Sequence, residues 1–368
     1  MKTTLSIAAF TSALASAVSA QAAGPTLGDV MANSGIALNG YVDTSYTYLT
    51  SAGAMTSGVP SRVYDREHNS FNLHTINVSV EKLPRNGFGA RADLDFGSDA
   101  NVNAPIGSGA TDEFDVQQGY IRYVGGPIGV MAGKFVTLAG AEVIKSPDNF
   151  NFSRGILFGY AIPFTHTGVR ANFIANDALK FTAGINNGWD VLRDSQSEGD
   201  KTVELGVAFT PAKNLTLSGA IYNGEEPGAV PGVGGLRTLI DVVGSLGLTD
   251  DMTVALNIDV ARQEDALGRG NDAEWMGIAG YFNYRFMPQW RAAARAEVFE
   301  DDDGFRTGIA GGQRWSEITA TVGFMPVDNV ELRAELRADR SNKAVFVEPD
   351  GSAEKSQQSI AFEAIYKF

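Results

Sequence analysis

Charged side chains recur at every second position along several stretches of this chain. Arg91, Asp93 and Asp95 form one such set, Arg291, Arg295 and Glu297 another, and Glu331, Arg333, Glu335, Arg337 and Asp339 a third. In an extended strand this spacing places every charge of a set on one face. A face of that kind can orient a passing ion or dipole. Arg122, Lys134 and Arg170 occupy the same kind of position in less regular stretches. The residue types of catalysis are sparse. The three histidines, His68, His74 and His166, are scattered without metal-ligand spacing. No cysteine is present, which excludes thiol chemistry and a disulfide scaffold, and there is no Gly-x-Ser-x-Gly elbow. The expectation is no enzyme, no catalytic residue and no metal site. A net charge of −14 also argues against nucleic acid as a partner.

The elements that must carry these charges have a period of two. Val330, Leu332, Ala334, Leu336 and Ala338 alternate with the third charged set, and Phe88, Ala90, Ala92, Leu94 and Phe96 with the first. Met252, Val254, Leu256, Ile258 and Val260 repeat the pattern. Each run meets the ~9–11 residues that a tilted strand needs to cross a bilayer, whereas a soluble strand usually ends at about 5–6. Mean hydropathy is −0.08, as expected where lipid-facing and water-facing residues alternate and average out. Tight-turn residues separate the runs at Leu83-Pro84-Arg85-Asn86, Gly125-Gly126-Pro127, Ala175-Asn176-Asp177, Pro211-Ala212-Lys213-Asn214, Thr249-Asp250-Asp251, Met287-Pro288-Gln289 and Pro326-Val327-Asp328-Asn329. Between successive turns lie a strand, a long polar loop and a strand. The pattern predicts an all-β chain: a transmembrane antiparallel up-and-down β-barrel of about 16 strands (range 14–18), with short periplasmic turns and long extracellular loops. Runs begin near residues 36, 70, 88, 114, 128, 165, 178, 202, 215, 237, 252, 275, 290, 315, 330 and 357. Those at 70–82, 114–124 and 127–135 alternate poorly.

Before the first run, Lys2, the apolar stretch Leu5 to Ala17 and the small residues Val18-Ser19-Ala20 read as a cleaved secretory signal peptide over residues 1–20. Residues 21–34 are expected to be a short periplasmic segment, and residues 35–368 the barrel. At the other end Ile360, Phe362, Ala364, Tyr366 and Phe368 share one face. Phe362, Tyr366 and the terminal Phe368 resemble the assembly signal that outer-membrane assembly machinery reads. Residues 136–164 form the longest loop without strand pattern, and a loop of that length is usually functional or disordered. Glu142, Lys145, Asp148 and Arg154 are interleaved there with Phe150, Phe152, Phe158 and Tyr160, an aromatic content that argues against disorder. The outer loops are acidic at Glu225 and Glu226, at Glu264 and Asp265, and at Glu300 to Asp303. They offer places for non-specific divalent cations shared with lipopolysaccharide; no other cofactor is expected.

The stretch GKFVTLAGAEVIKSPDNFNFSRGILFGYAIPFTHTGVR, together with NGYVDTSY near the first strand and the aromatic C-terminus, resembles the OmpL-like β-barrel porin family. The resemblance covers residues 36–368 and implies a channel-like barrel in a Gram-negative outer membrane, among its lipids and lipopolysaccharide. By likeness to sixteen-stranded porins, residues 136–164 are the third loop that folds inward and narrows the pore, and a homotrimer is implied. The expected function is passive diffusion of small hydrophilic solutes or ions. The expected pore-lining residues are Arg91, Asp93, Asp95, Arg122, Lys134, Arg170, Arg291, Arg295, Arg333, Glu335 and Arg337. On the lipid face an arginine at mid-bilayer would cost about 2–4 kcal/mol, so charge at these positions belongs on the lumen side. Those charges either set the field of the pore or neutralise one another in a network that stiffens the wall. The alternative function is a non-conducting structural or adhesive surface barrel whose loops bind a partner.

Overall fold

Sixteen long strands close on themselves in the computed structural model, which describes residues 28, 33–51, 59–108, 113–193 and 200–368. The signal peptide and most of the segment 21–34 lie outside the described residues. Contacts divide the chain into Met1–Ile36 and Ala37–Phe368, and the second unit is the barrel.

Its strands are β1 Ala37–Leu49, β2 Ser70–Lys82, β3 Gly87–Phe96, β4 Phe114–Gly125, β5 Ile128–Val136 and β6 Thr165–Asn176. They continue with β7 Leu179–Asn186, β8 Thr202–Ala212, β9 Leu215–Pro227, β10 Gly234–Thr249, β11 Met252–Gly268 and β12 Asn271–Met287. Next come β13 Trp290–Asp301, β14 Gln313–Val327 and β15 Val330–Ser341. A small outer hairpin, β16 Phe346–Val347 and β17 Ala353–Glu354, precedes the closing strand β18 Ser356–Lys367. A short helix, α1 Ser98–Asn103, follows β3. Each barrel strand pairs antiparallel with its sequence neighbour, and β18 returns to β1 in register from Tyr41↔Lys367 to Leu49↔Ser359. Closure removes the open edges that would leave backbone groups unpaired in lipid.

The period-two pattern determines which residue faces which solvent. On β15 Arg333, Glu335 and Arg337 are buried on the lumen side, while Leu332 and Leu336 stand outward, Leu336 at 61% exposure. Aromatic residues gather at the turn-side rim, where Trp290 stacks on Phe324 at 4.5 Å and Tyr366 on Phe368 at 6.4 Å. Near the loop-side rim Tyr46 meets Phe71 and Phe96 meets Phe114, each pair at 5.1 Å. Two such girdles enclosing an apolar band are the outer surface of a membrane barrel. Phe362, Tyr366 and Phe368 belong to that surface, and the Phe368 backbone is paired with Gly40 at 2.9 and 3.0 Å.

Three strands begin earlier than their hydrophobic runs suggest. β10 starts at Gly234, β12 at Asn271 and β14 at Gln313. At these starts the ladder continues through polar residues beyond the apolar band, so backbone pairing outlasts the alternation. Two of the three poorly alternating runs have a backbone cause, while β5 pairs on both sides without a register shift. Opposite β1, Asp43 pairs with Thr75 and Thr44 with Leu73, which leaves His74 as an extra residue in β2. Opposite β3, Asp93 pairs with Gln118 and Leu94 with Val116, which leaves Gln117 extra in β4. Each bulge turns two successive residues into the lumen: His74 with Thr75, and Gln117 with Gln118, all four buried.

Candidate functional site

The loop that follows β5 does not stay outside. Gly140 takes φ +93°, and a Cβ there would come within 2.5 Å of Ile162 Cδ1; only glycine suits a fold-back this tight. A 3-10 turn at Ser146–Asp148 and a π-helical turn at Leu157–Ala161 complete the path back to β6. Ile156, Leu157, Ala161 and Ile162 are buried in a cluster with Tyr64, Trp275, Phe299 and Trp315, so the loop carries its own apolar core inside the barrel.

Charged residues on β13 and β15 receive it. Arg295 donates to Glu142 Oε1 at 2.7 Å and to the Ser153 carbonyl at 2.6 Å while paired with Glu317 at 2.7 Å. Arg333 donates to the Asn149 carbonyl at 3.0 Å and Arg337 to the Arg154 carbonyl at 2.7 Å. Carboxylates accept in turn: Glu335 from the Phe152 and Ser153 amides at 2.8 and 3.0 Å, and Glu297 from the Ile156 and Leu157 amides at 2.5 and 3.0 Å. Arg291 pairs with Glu331 and donates to the Phe150 carbonyl at 2.6 Å. The side chains of Arg295, Arg333 and Arg337 have 0% exposure. Hydrogen bonds to charged groups are worth about 1.5–3 kcal/mol each, so this row holds the loop firmly against one wall. β9 to β11 extend the grip: Tyr222 accepts from the Leu138 amide at 2.8 Å, Asp241 from Gly140 at 3.0 Å and Asn257 from Ala141 at 3.1 Å.

The wall of β3 to β5 is different. Between it and the loop lies a cavity of about 350 Å³, bordered by Arg91, Gln117, Gln118, Leu138, Lys145 and Asp148 among others. Arg91 pairs with Glu81 and Asp93, both at 3.0 Å, and Lys145 reaches Asp93 at 3.3 Å. Both cations remain partly open, Arg91 at 23% and Lys145 at 20%. Asp95 accepts from Asn77 at 2.6 Å, and Lys134 is bound to Asp115 at 2.8 Å. Arg170 forms a two-point pair with Glu204 at 2.5 and 2.8 Å. Arg122 sits at the turn side, donating to the Pro84 carbonyl at 3.2 Å.

Of the expected third-loop residues, Glu142, Lys145 and Asp148 border the cavity. Glu142 and Arg154 serve the loop itself: Glu142 accepts from the Gly155 amide at 2.6 Å, and Arg154 donates to the carbonyls of Val143 and Phe152 at 3.1 and 2.8 Å. The acidic run behaves similarly, since Asp301 accepts from the amides of Phe305, Arg306 and Thr307 at 3.1, 3.0 and 2.8 Å. Burial in the outer loops holds the Asp190 carboxyl above its ordinary range and the Tyr64 phenol well above its own.

Several lumen residues carry no signal in the alternation. Arg62, in the first outer loop, is buried against Asp339 and Ser359, both at 2.8 Å. Tyr64 donates to Asn103 of α1 at 2.5 Å. Ser45 Oγ lies 2.7 Å from His74 Nε2, and His74 Nδ1 lies 2.8 Å from Asp99 Oδ1. The order hydroxyl, imidazole, carboxylate is that of an acyl-transfer triad. All three side chains are buried, however, and the Phe152 ring stands edge-on to the imidazole at 5.3 Å. The set ties α1 to the wall.

The family described as Putative beta-barrel porin-2, OmpL-like, matches residues 35–368. Sequence comparison with curated proteins finds no match. Among solved structures, the outer membrane channel DcaP of Acinetobacter baumannii is 13% identical, over 90% of this chain and 97% of that one, with a TM-score of 0.63. An anion-selective porin from Comamonas acidovorans is likewise 13% identical, over 90% and 99%, with a TM-score of 0.62. OmpT of Vibrio cholerae in a trimer form is 12% identical, over 90% and 99%, also at 0.62. These likenesses establish the fold. Together with the family match they make this a porin-type channel protein of a Gram-negative outer membrane. The chain belongs to the Putative beta-barrel porin-2, OmpL-like, family.

Proposed function

We propose that the barrel passes small hydrophilic solutes and ions by diffusion, acting as a channel and not as an enzyme, and that the water path runs between the third loop and the wall of β3 to β5. The observation that carries this reading is the uneven attachment of the loop. It is bonded along β9 to β11, β13 and β15, while against β3 and β4 it leaves a cavity bordered by partly exposed Arg91 and by Lys145, the loop cation that reaches Asp93. Charges beside a narrow water path act on a passing ion with about 1–4 kcal/mol at 4 Å, enough to set ion preference. The trimer form described for Vibrio OmpT supports a homotrimer here as well.

Planar bilayers test the reading directly. Purified protein should give stable open steps in KCl. A folded barrel that inserts without conducting would overturn the channel and favour a surface barrel whose loops bind a partner.

A further inference from the structure

The cavity beside the third loop is bordered by a polar side chain that no described residue hydrogen-bonds. Gln117 is the extra residue of the β4 bulge, without a partner across the ladder. Its side chain is fully buried, and neither amide atom has a hydrogen-bond partner among the described residues. Leaving such a group unpaired is destabilising, and it borders the cavity. Its neighbour Gln118 is by contrast engaged, donating to Asp93 at 2.7 Å. Bulges of this kind re-aim side chains beside functional sites.

Around Gln117 the cavity has two poles. Arg91 and Lys145 are cationic and partly open, and Asp148 is an exposed carboxylate of the same loop. Leu138, Phe158 and Phe164 supply apolar lining. At about 350 Å³ the space falls at the lower end of the ~300–1,000 Å³ of small-molecule sites.

Resting on the channel reading above, we propose that this cavity is a recognition site for small zwitterions that carry an amide, the size of a dipeptide. The solute carboxylate faces Lys145 and Arg91, the ammonium faces Asp148, and the peptide group bonds to the free amide of Gln117. A neutral sugar of similar size satisfies Gln117 but neither pole, and a simple anion satisfies one pole only.

The experiment is solute-driven swelling of proteoliposomes containing the full-length mature protein, with glycylglycine compared against a neutral pentose. The native channel should admit the dipeptide faster than the pentose. Gln117→Leu should lower the dipeptide-to-pentose rate ratio at least about threefold, the worth of one neutral hydrogen bond. Asp148→Asn, on an exposed loop position, should lower the same ratio and guards against a folding defect at the bulge. A native ratio near one, or a ratio that neither substitution moves, overturns the proposal. KCl steps in the native protein separate the two readings: with steps present and no dipeptide preference, only the recognition site fails, and without steps the channel reading fails too.

Discussion

Strand β15, in the wall of β13 to β15, and strand β3, in the wall of β3 to β5, carry the same sequence pattern of Arg and carboxylate side chains at every second position. Their charges nevertheless meet different surroundings. On the first wall Arg295, Arg333 and Arg337 are sealed beneath the third loop, with their guanidinium groups directed at loop carbonyls. On the second, Arg91 and the loop's Lys145 facing it keep about a fifth of their surface open beside a cavity. A lumen charge can thus be a fastening or an electrode. Which it becomes depends on where the inward loop lands, a long-range fact that strand alternation does not contain.

Removing the fastening should have the largest effect. Arg295→Met leaves Glu142, Glu297 and Glu317 buried around a lost partner, and breaking a buried ion pair from one side costs about 3–5 kcal/mol. The expected outcome is a released loop, seen as larger and noisier single-channel steps and faster protease cleavage between residues 137 and 164. Quiet native-size steps would mean that the loop does not depend on this wall. Glu335→Gln is a milder form of the same test. It converts two charge-assisted bonds to the Phe152 and Ser153 amides into weaker ones, a loss of about 2 kcal/mol. Added channel noise at native mean conductance is expected.

Replacing the electrodes should leave the loop seated. Arg91→Gln with Lys145→Gln removes two partly exposed charges but also strips the fully buried Asp93 of both its cations, so some loss of barrel stability is expected while the loop stays held by β13 and β15. Reversal potentials under a salt gradient should move toward cation preference by several-fold in permeability ratio. That shift should shrink at 1 M salt, where screening falls to ~3 Å. An unchanged reversal potential would remove Arg91 and Lys145 from the conducting path.

Much of the barrel was legible in advance because a membrane strand must alternate over a fixed length. Most strand starts fall within a residue of the hydrophobic runs, and the aromatic end of β18 reads directly. The third loop was visible as an aromatic, pattern-free stretch between β5 and β6. The bulges at His74 and Gln117 were legible only as lost alternation, because an extra residue shifts which side chains face inward. Arg62, Tyr64 and Asp99 were not legible. Each comes from an outer loop, and each finds its partner across the lumen or on another element through contacts that no local spacing records.

The absence of native cysteine allows the most direct test of the two-wall account. Single cysteines at Lys145 and at Thr319, which is buried on β14 behind Arg295, can be treated with a small water-soluble thiosulfonate reagent during single-channel recording. Lys145→Cys should react rapidly and change the current, and Thr319→Cys should stay silent. Rapid reaction and block at Thr319→Cys, with Lys145→Cys inert, would place the water path along the wall that the loop is said to cover.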